Sequence, residues 1–126
     1  MKFMFTIYHE EKVLDAMSEK EIQTLVDSAV EYAEELQRSG HYIASDALQR
    51  TATAQTIRVR DGQVSTAAGP YVETREQLGG FFVIEAKDMD EARALAARFP
   101  PARVAVIEIR PVQELQHSRD RRGLPR

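Results

Sequence analysis

An α+β domain made of two β-α-β units in series is what the sequence predicts, on three observations. Apolar residues alternate with a period of two at 2–8, 80–86 and 103–110. Two stretches of helical periodicity, each opened by a capping signal, stand between such segments. An Asp-Gly pair separates two further alternating runs. Period two marks a strand, a period near 3.6 marks an amphipathic helix, and Asp-Gly marks a two-residue hairpin turn.

In Lys2–Tyr8, Phe3, Phe5 and Ile7 point one way and Met4, Thr6 and Tyr8 the other, so this strand is covered on both faces. The polar run His9-Glu10-Glu11-Lys12 ends it. Ser18 with Glu21 forms a capping box, followed by an apolar stripe at Ile22, Leu25, Val26, Ala29, Ala33 and Leu36. This predicts a helix of about 20 residues, stopped at Gly40, where a left-handed residue ends the last turn. His41–Ser45 is a short strand leading into Asp46. Thr56–Arg60 and Gln63–Thr66 flank Asp61-Gly62 as a hairpin with one solvated face. Gly80–Ala86 is rich in aromatic and β-branched residues and reads as a central strand. Asp88 and Glu91 open a second helix with a stripe at Met89, Ala92, Leu95, Ala96 and Phe99, stopped by Pro100-Pro101. Arg103–Arg110 is the last strand, with Ala105, Ile107 and Ile109 on one face.

Without the hairpin, that order is the ferredoxin-like split βαβ arrangement, an antiparallel sheet with both helices on one face. The other face has no cover within the chain, although Met4, Phe81 and Val106 are apolar there. Such a surplus predicts a homodimer through the open sheet face, giving a dimeric α+β barrel.

Composition narrows the function. A chain of 126 residues without cysteine has no disulfides, thiolate metal sites or cysteine nucleophile. His9, His41 and His117 lack ligand spacing, so neither a metal nor another cofactor is expected. Residues 116–126 hold four Arg and one Asp, about +3, which leaves about −6 of the net −3 to residues 1–115. An acidic body argues against nucleic-acid binding. The basic tail is expected to be disordered beside a single domain at 1–115. No apolar run approaches the roughly 20 residues of a membrane span. The first strand is too short for a signal peptide, so a cytoplasmic protein is expected.

The segment Gly69-Pro70-Tyr71, then Glu73-Thr74-Arg75-Glu76-Gln77-Leu78-Gly79-Gly80-Phe81-Phe82, resembles the signature of the YCII-related, or DGPF-domain, family. That signature is Asp-Gly-Pro-Phe followed by Glu-Thr-Lys-Glu-x-Leu-Gly-Gly-aromatic. Arg58–Gly62, Asp88–Ala92 and Glu108–Val112 also match, and the resemblance covers about residues 1–113. It implies the dimeric α+β barrel fold that the strand faces predict independently. Ala68 and Tyr71 depart from the motif's aspartate and phenylalanine. Residues 19–39 hold no histidine and Phe99-Pro100 stands where an acid is expected, so the His–Asp dyad of the wider group is missing.

A phosphate cradle at 67–82 is disfavoured, because a strand follows the glycines and Glu73 and Glu76 repel anions. Gly69-Pro70 sets a turn, and Gly79-Gly80 permits either unusual dihedrals or a close backbone approach. Tyr8, Tyr71, Glu73, Arg75 and Glu76 are the candidates for lining a cleft or dimer seam. His41, His9 and Asp46 are the candidates for proton transfer near neutral pH. A histidine following a helix C-terminus is also explained by the helix dipole alone. The function expected is metal-free binding of a small polar organic molecule in a barrel cleft. The resemblance adds a regulatory context linked to extracytoplasmic-function sigma factors. The alternative is a cofactor-free lyase or isomerase using His/carboxylate proton transfer.

Overall fold

The computed structural model describes residues 1–115 and Gly123, so the expected disorder of 116–126 and His117 lie outside the described residues. Strands β1 (Lys2–His9), β2 (Tyr42–Ala47), β5 (Gln77–Glu85) and β6 (Val106–Pro111) form one sheet in the order β2-β5-β1-β6. Every neighbouring pair is antiparallel, which is the split βαβ topology expected. Strands β3 (Gln55–Arg60) and β4 (Gln63–Ala68) form a separate two-stranded sheet. Asp61 and Gly62 both take positive φ, 52° and 74°, as a primed two-residue turn requires.

Helices α2 (Glu19–Arg38) and α3 (Met89–Ala97) start where their caps predict. The Ser18 hydroxyl accepts from Glu21 N–H while the Glu21 carboxylate accepts from Ser18 N–H, both at 3.1 Å. Asp88 accepts from Glu91 N–H at 2.9 Å. Both helices cover one face of the sheet. Phe3, Phe5 and Ile7 of β1 and Phe82 and Ile84 of β5 are buried against Tyr32 and Leu36 of α2 and Leu95 of α3. Met4, Thr6, Tyr8, Phe81 and Val83 take the other face, as alternation demands.

Tyr32, Phe82 and Phe99 meet edge to face, with centroids 5.3, 5.2 and 5.5 Å apart. The Tyr32 hydroxyl donates to the Leu95 carbonyl at 2.6 Å, tying α2 to α3. Burial pushes that phenol up to about 12.

Three local expectations change. The polar run after β1 is a short helix, α1 (Glu11–Asp15), and Thr51–Thr53 adds a 3-10 turn. Pro100–Val104 is also 3-10, so the last strand starts at Val106 instead of Arg103. Proline fixes φ near helical values at the start of that turn and keeps the segment out of the ladder. The hairpin is wet on both faces, not one, because no other element packs against it to any extent.

Phe82→Ala should cost about 3–5 kcal/mol in urea unfolding, from the cavity left between both helices and the sheet. Tyr32→Phe should cost only about 1 kcal/mol, because the Leu95 carbonyl also accepts from Arg98 N–H at 3.2 Å. Equal losses for the two variants would contradict the packing described.

Candidate functional site

Pairing of β1 with β5 slips by one residue between Ile7, opposite Gly80, and Tyr8, opposite Leu78. Gly79 is the extra residue of this β-bulge. A Cβ there would lie 1.9 Å from His9 Cε1, so the imidazole occupies the space a side chain would fill. At Gly80 a Cβ would meet the Asp46 carbonyl at 3.1 Å. Neither glycine has positive φ, so close approach, not unusual dihedrals, explains the pair. Both glycines lie inside β5 and do not merely launch it.

His9 stands on the helix-side face and lines a groove of about 540 Å³ between α2 and the sheet. The walls are mostly apolar, with Leu25, Val26, Ala29, Val30 and Ala33 on one side and Ala47 and Leu48 on the other. Polar side chains join His9 along it, Glu34, Gln37, Ser45 and Arg50, together with the Asp46 backbone.

Around His9 the chain is braced by a small network. The Glu11 carboxylate accepts from Thr51 N–H at 2.9 Å and from the Thr51 hydroxyl at 2.7 Å. Arg50 donates to the Glu11 carbonyl at 3.2 Å and to Asp15 at 2.8 Å. The Thr51 bonds, with help from Arg50 and His9, hold the Glu11 carboxyl below its ordinary range. Burial, then the Arg50 cation, lower the His9 pKa from 6.5, against a smaller opposing pull from Glu11. Both effects favour the neutral form of the imidazole, and no hydrogen bond among the described residues reaches either ring nitrogen. A neutral, unpartnered imidazole can accept a hydrogen bond or a proton.

The structure brings the His9 ring to the groove, whereas Asp46, paired with Phe81, lines it with backbone only and turns its carboxylate to the open face, so the expected His9–Asp46 pairing is not formed. His41 hydrogen bonds the Glu85 carbonyl through Nδ1 at 2.7 Å, beside Glu85 N–H donating to His41 O at 2.8 Å. Gln77, opposite His9, and Glu85 are eight residues apart on β5, roughly 27 Å. Tyr8 belongs to the open face, opposite Leu78 and Val106. Tyr71, Glu73, Arg75 and Glu76 are exposed in the loop before β5. Arg75 pairs with Glu10, and Arg58 sits 5.7 Å above the Tyr71 ring beside a smaller surface hollow. Sequence reasoning missed Arg50 and the α2 wall, although the extra apolar positions Val26 and Val30 already widened that helix's stripe. Among the described residues no group of three or more His, Asp or Glu could hold a metal ion. No described helix is long and apolar enough to cross a membrane.

The His9 ring should titrate by NMR with a midpoint below 6.5, and Arg50→Ala should move it upward. Between the folded and ordinary pKa the unfolded chain binds more protons. Stability should therefore fall as pH drops from about 6.5 through the folded value, and His9→Gln should flatten that slope. Gly79→Ala should evict the imidazole at small cost to stability, since a side-chain end can swing away, while changing the His9 titration.

A model of the YCII-related domain matches residues 1–116. An uncharacterised protein of Rhizobium meliloti (strain 1021) is 28% identical over 114 residues, spanning 89% of this chain and 92% of its own. The solved 5-chloro-2-hydroxyhydroquinone dehydrochlorinase (TftG) of Burkholderia phenoliruptrix AC1100, in complex with 2,5-dihydroxybenzoquinone, is similar in fold. Its TM-score is 0.50 at 15% identity, over 93% of this chain and 98% of that one. With the split βαβ sheet and the signature at 69–82 in place, the chain belongs to the YCII-related domain family.

Proposed function

We propose that the protein binds a small organic molecule in the groove between α2 and the sheet, apolar body against the helix and polar end at His9 and Arg50. One observation carries this reading: an apolar-walled groove of about 540 Å³ is lined also by the His9 imidazole and the Arg50 guanidinium. Mostly apolar concavities with a few convergent polar groups are the usual form of small-molecule sites. The ligand in this reading is more apolar than the small polar molecule the sequence led us to expect. The dehydrochlorinase of similar fold, solved with a substituted quinone, supports a ligand of small cyclic type.

A second reading, cofactor-free lyase or isomerase chemistry, is favoured by the state of His9 alone. As a neutral base it would take a proton from bound substrate, and Arg50 would stabilise the anion formed. Glu34 is the carboxylate along the same groove.

The open sheet face, with Met4, Phe81 and Val83 on the side away from the helices, supports a homodimer formed across it.

Titration with 2-naphthol, an apolar bicycle bearing one hydroxyl, should give saturable NMR shifts at His9 and along α2. Val30→Trp, at a half-exposed rim position, should abolish them without unfolding the chain. Shifts indifferent to Val30→Trp would remove the groove from consideration. His9→Gln should retain most probe binding if His9 only accepts a hydrogen bond, yet eliminate any turnover the protein is found to have. Sedimentation should show a dimer at micromolar concentration, converted to monomer by Met4→Asp or Val83→Asp.

A further inference from the structure

The β3–β4 hairpin carries an apolar face against which no other described element packs to any extent. Val59 pairs with Val64 and Ile57 with Thr66, so Ile57, Val59 and Val64 share one side. They are 65%, 54% and 68% exposed. Its two ends are clasped to each other, with Gly69 N–H donating to the Ala54 carbonyl at 2.8 Å and the Thr56 hydroxyl donating to the Gly69 carbonyl at 3.0 Å. An isolated two-stranded hairpin is at best marginally stable in water and needs a surface to pack on. Three β-branched side chains in a row on one side specify such a surface as apolar.

The same chain holds an uncovered apolar row of its own. Tyr8 pairs with Leu78 on one side and Val106 on the other, giving a strip across three strands of the open sheet face. Leu78 is 40% and Val106 52% exposed. This row lies at the end of the sheet where β5 begins, the end from which the hairpin departs. Within one chain the hairpin leaves the row uncovered. A two-fold pair lets each chain's hairpin cover the other's row, so two unsatisfied surfaces cancel twice in one closed interface. Charge agrees: Arg58 and Arg60 flank the hairpin's apolar residues, whereas the body of the chain is acidic.

We propose that the β3–β4 hairpin is an arm that packs on a second copy of this chain, laying Ile57, Val59 and Val64 over that copy's Leu78–Tyr8–Val106 row. The arm extends the sheet-face dimer proposed above and rests on it. Through this contact the second copy supplies the hairpin with the packing it lacks at home.

The absence of cysteine makes the test clean. A mixture of Val59→Cys and Val106→Cys chains, treated with a short bismaleimide, should give a crosslinked dimer well above that of either variant alone. Val64→Asp and Val106→Asp, both at positions exposed in the single chain, should each weaken association about tenfold or more in sedimentation, by burying an unpaired charge. Circular dichroism should show each variant folded. If the wild type is a dimer that Met4→Asp dissociates, but Val64→Asp leaves association unchanged and no mixed crosslink forms, the arm is wrong and the sheet-face dimer stands. A monomeric wild type would overturn both.

Discussion

Everything in this fold follows from the contact of Tyr32, Phe82 and Phe99, which fastens both helices to one side of a single sheet. Three aromatic edges account for packing that aliphatic residues would need more chain to supply. The Tyr32 hydroxyl then spends its one donor on the Leu95 carbonyl, so a buried polar atom is satisfied and the spacing of the two helices is set. Because the helices share a side, the opposite face keeps its apolar residues without a cover. Because α2 meets the sheet through Leu25, Tyr32 and Leu36, its flank at Val26 and Val30 overhangs β2 and forms one wall of the groove.

The second constraint is the bulge at Gly79. A one-residue slip in an antiparallel pair lets the strand bend and re-aims the neighbouring side chain. Here the missing Cβ lets the His9 ring lie against the β5 backbone. That placement half-buries the imidazole and sets it near Arg50, and both effects favour the neutral form. Glu11 offsets this only in part, its pull being smaller than burial and the Arg50 cation. Local backbone geometry thus reaches the chemistry of the site through a desolvation effect, with no ligand required to produce it.

Elements governed by local rules were legible in the sequence. Capping at Ser18 and Asp88 is decided within four residues, and the Asp61-Gly62 turn within two. Strand faces follow from alternation at Phe3, Phe5 and Ile7. The site was less legible, because its walls come from segments far apart in the chain and only the packed fold says which side chains converge. His9 was foreseen as a residue type, yet so were Asp46, whose carboxylate turns to the open face, and His41, which ends up bonded to Glu85 at the far end of the sheet. Arg50 gave no signal: a single arginine after a short strand looks like any solvated side chain. The polar residues 71–76 matched a family signature, which reports ancestry and not position. α1 was hidden because five residues hold too little periodicity to separate a helical turn from a loop.

The bulge also joins the two faces of the sheet. Leu78 and Gly79 are consecutive, and alternation turns them to opposite sides. Gly79 makes room for His9 in the groove, while Leu78 opens the apolar row beside Tyr8 and Val106. The Leu78-Gly79-Gly80 run therefore answers to the groove, to the close approach of β2 at Asp46, and to the outer face together. Gly-Gly in the middle of a strand weakens the strand by itself. Its presence here is explained by the two close approaches it admits, the His9 ring at Gly79 and the Asp46 carbonyl at Gly80.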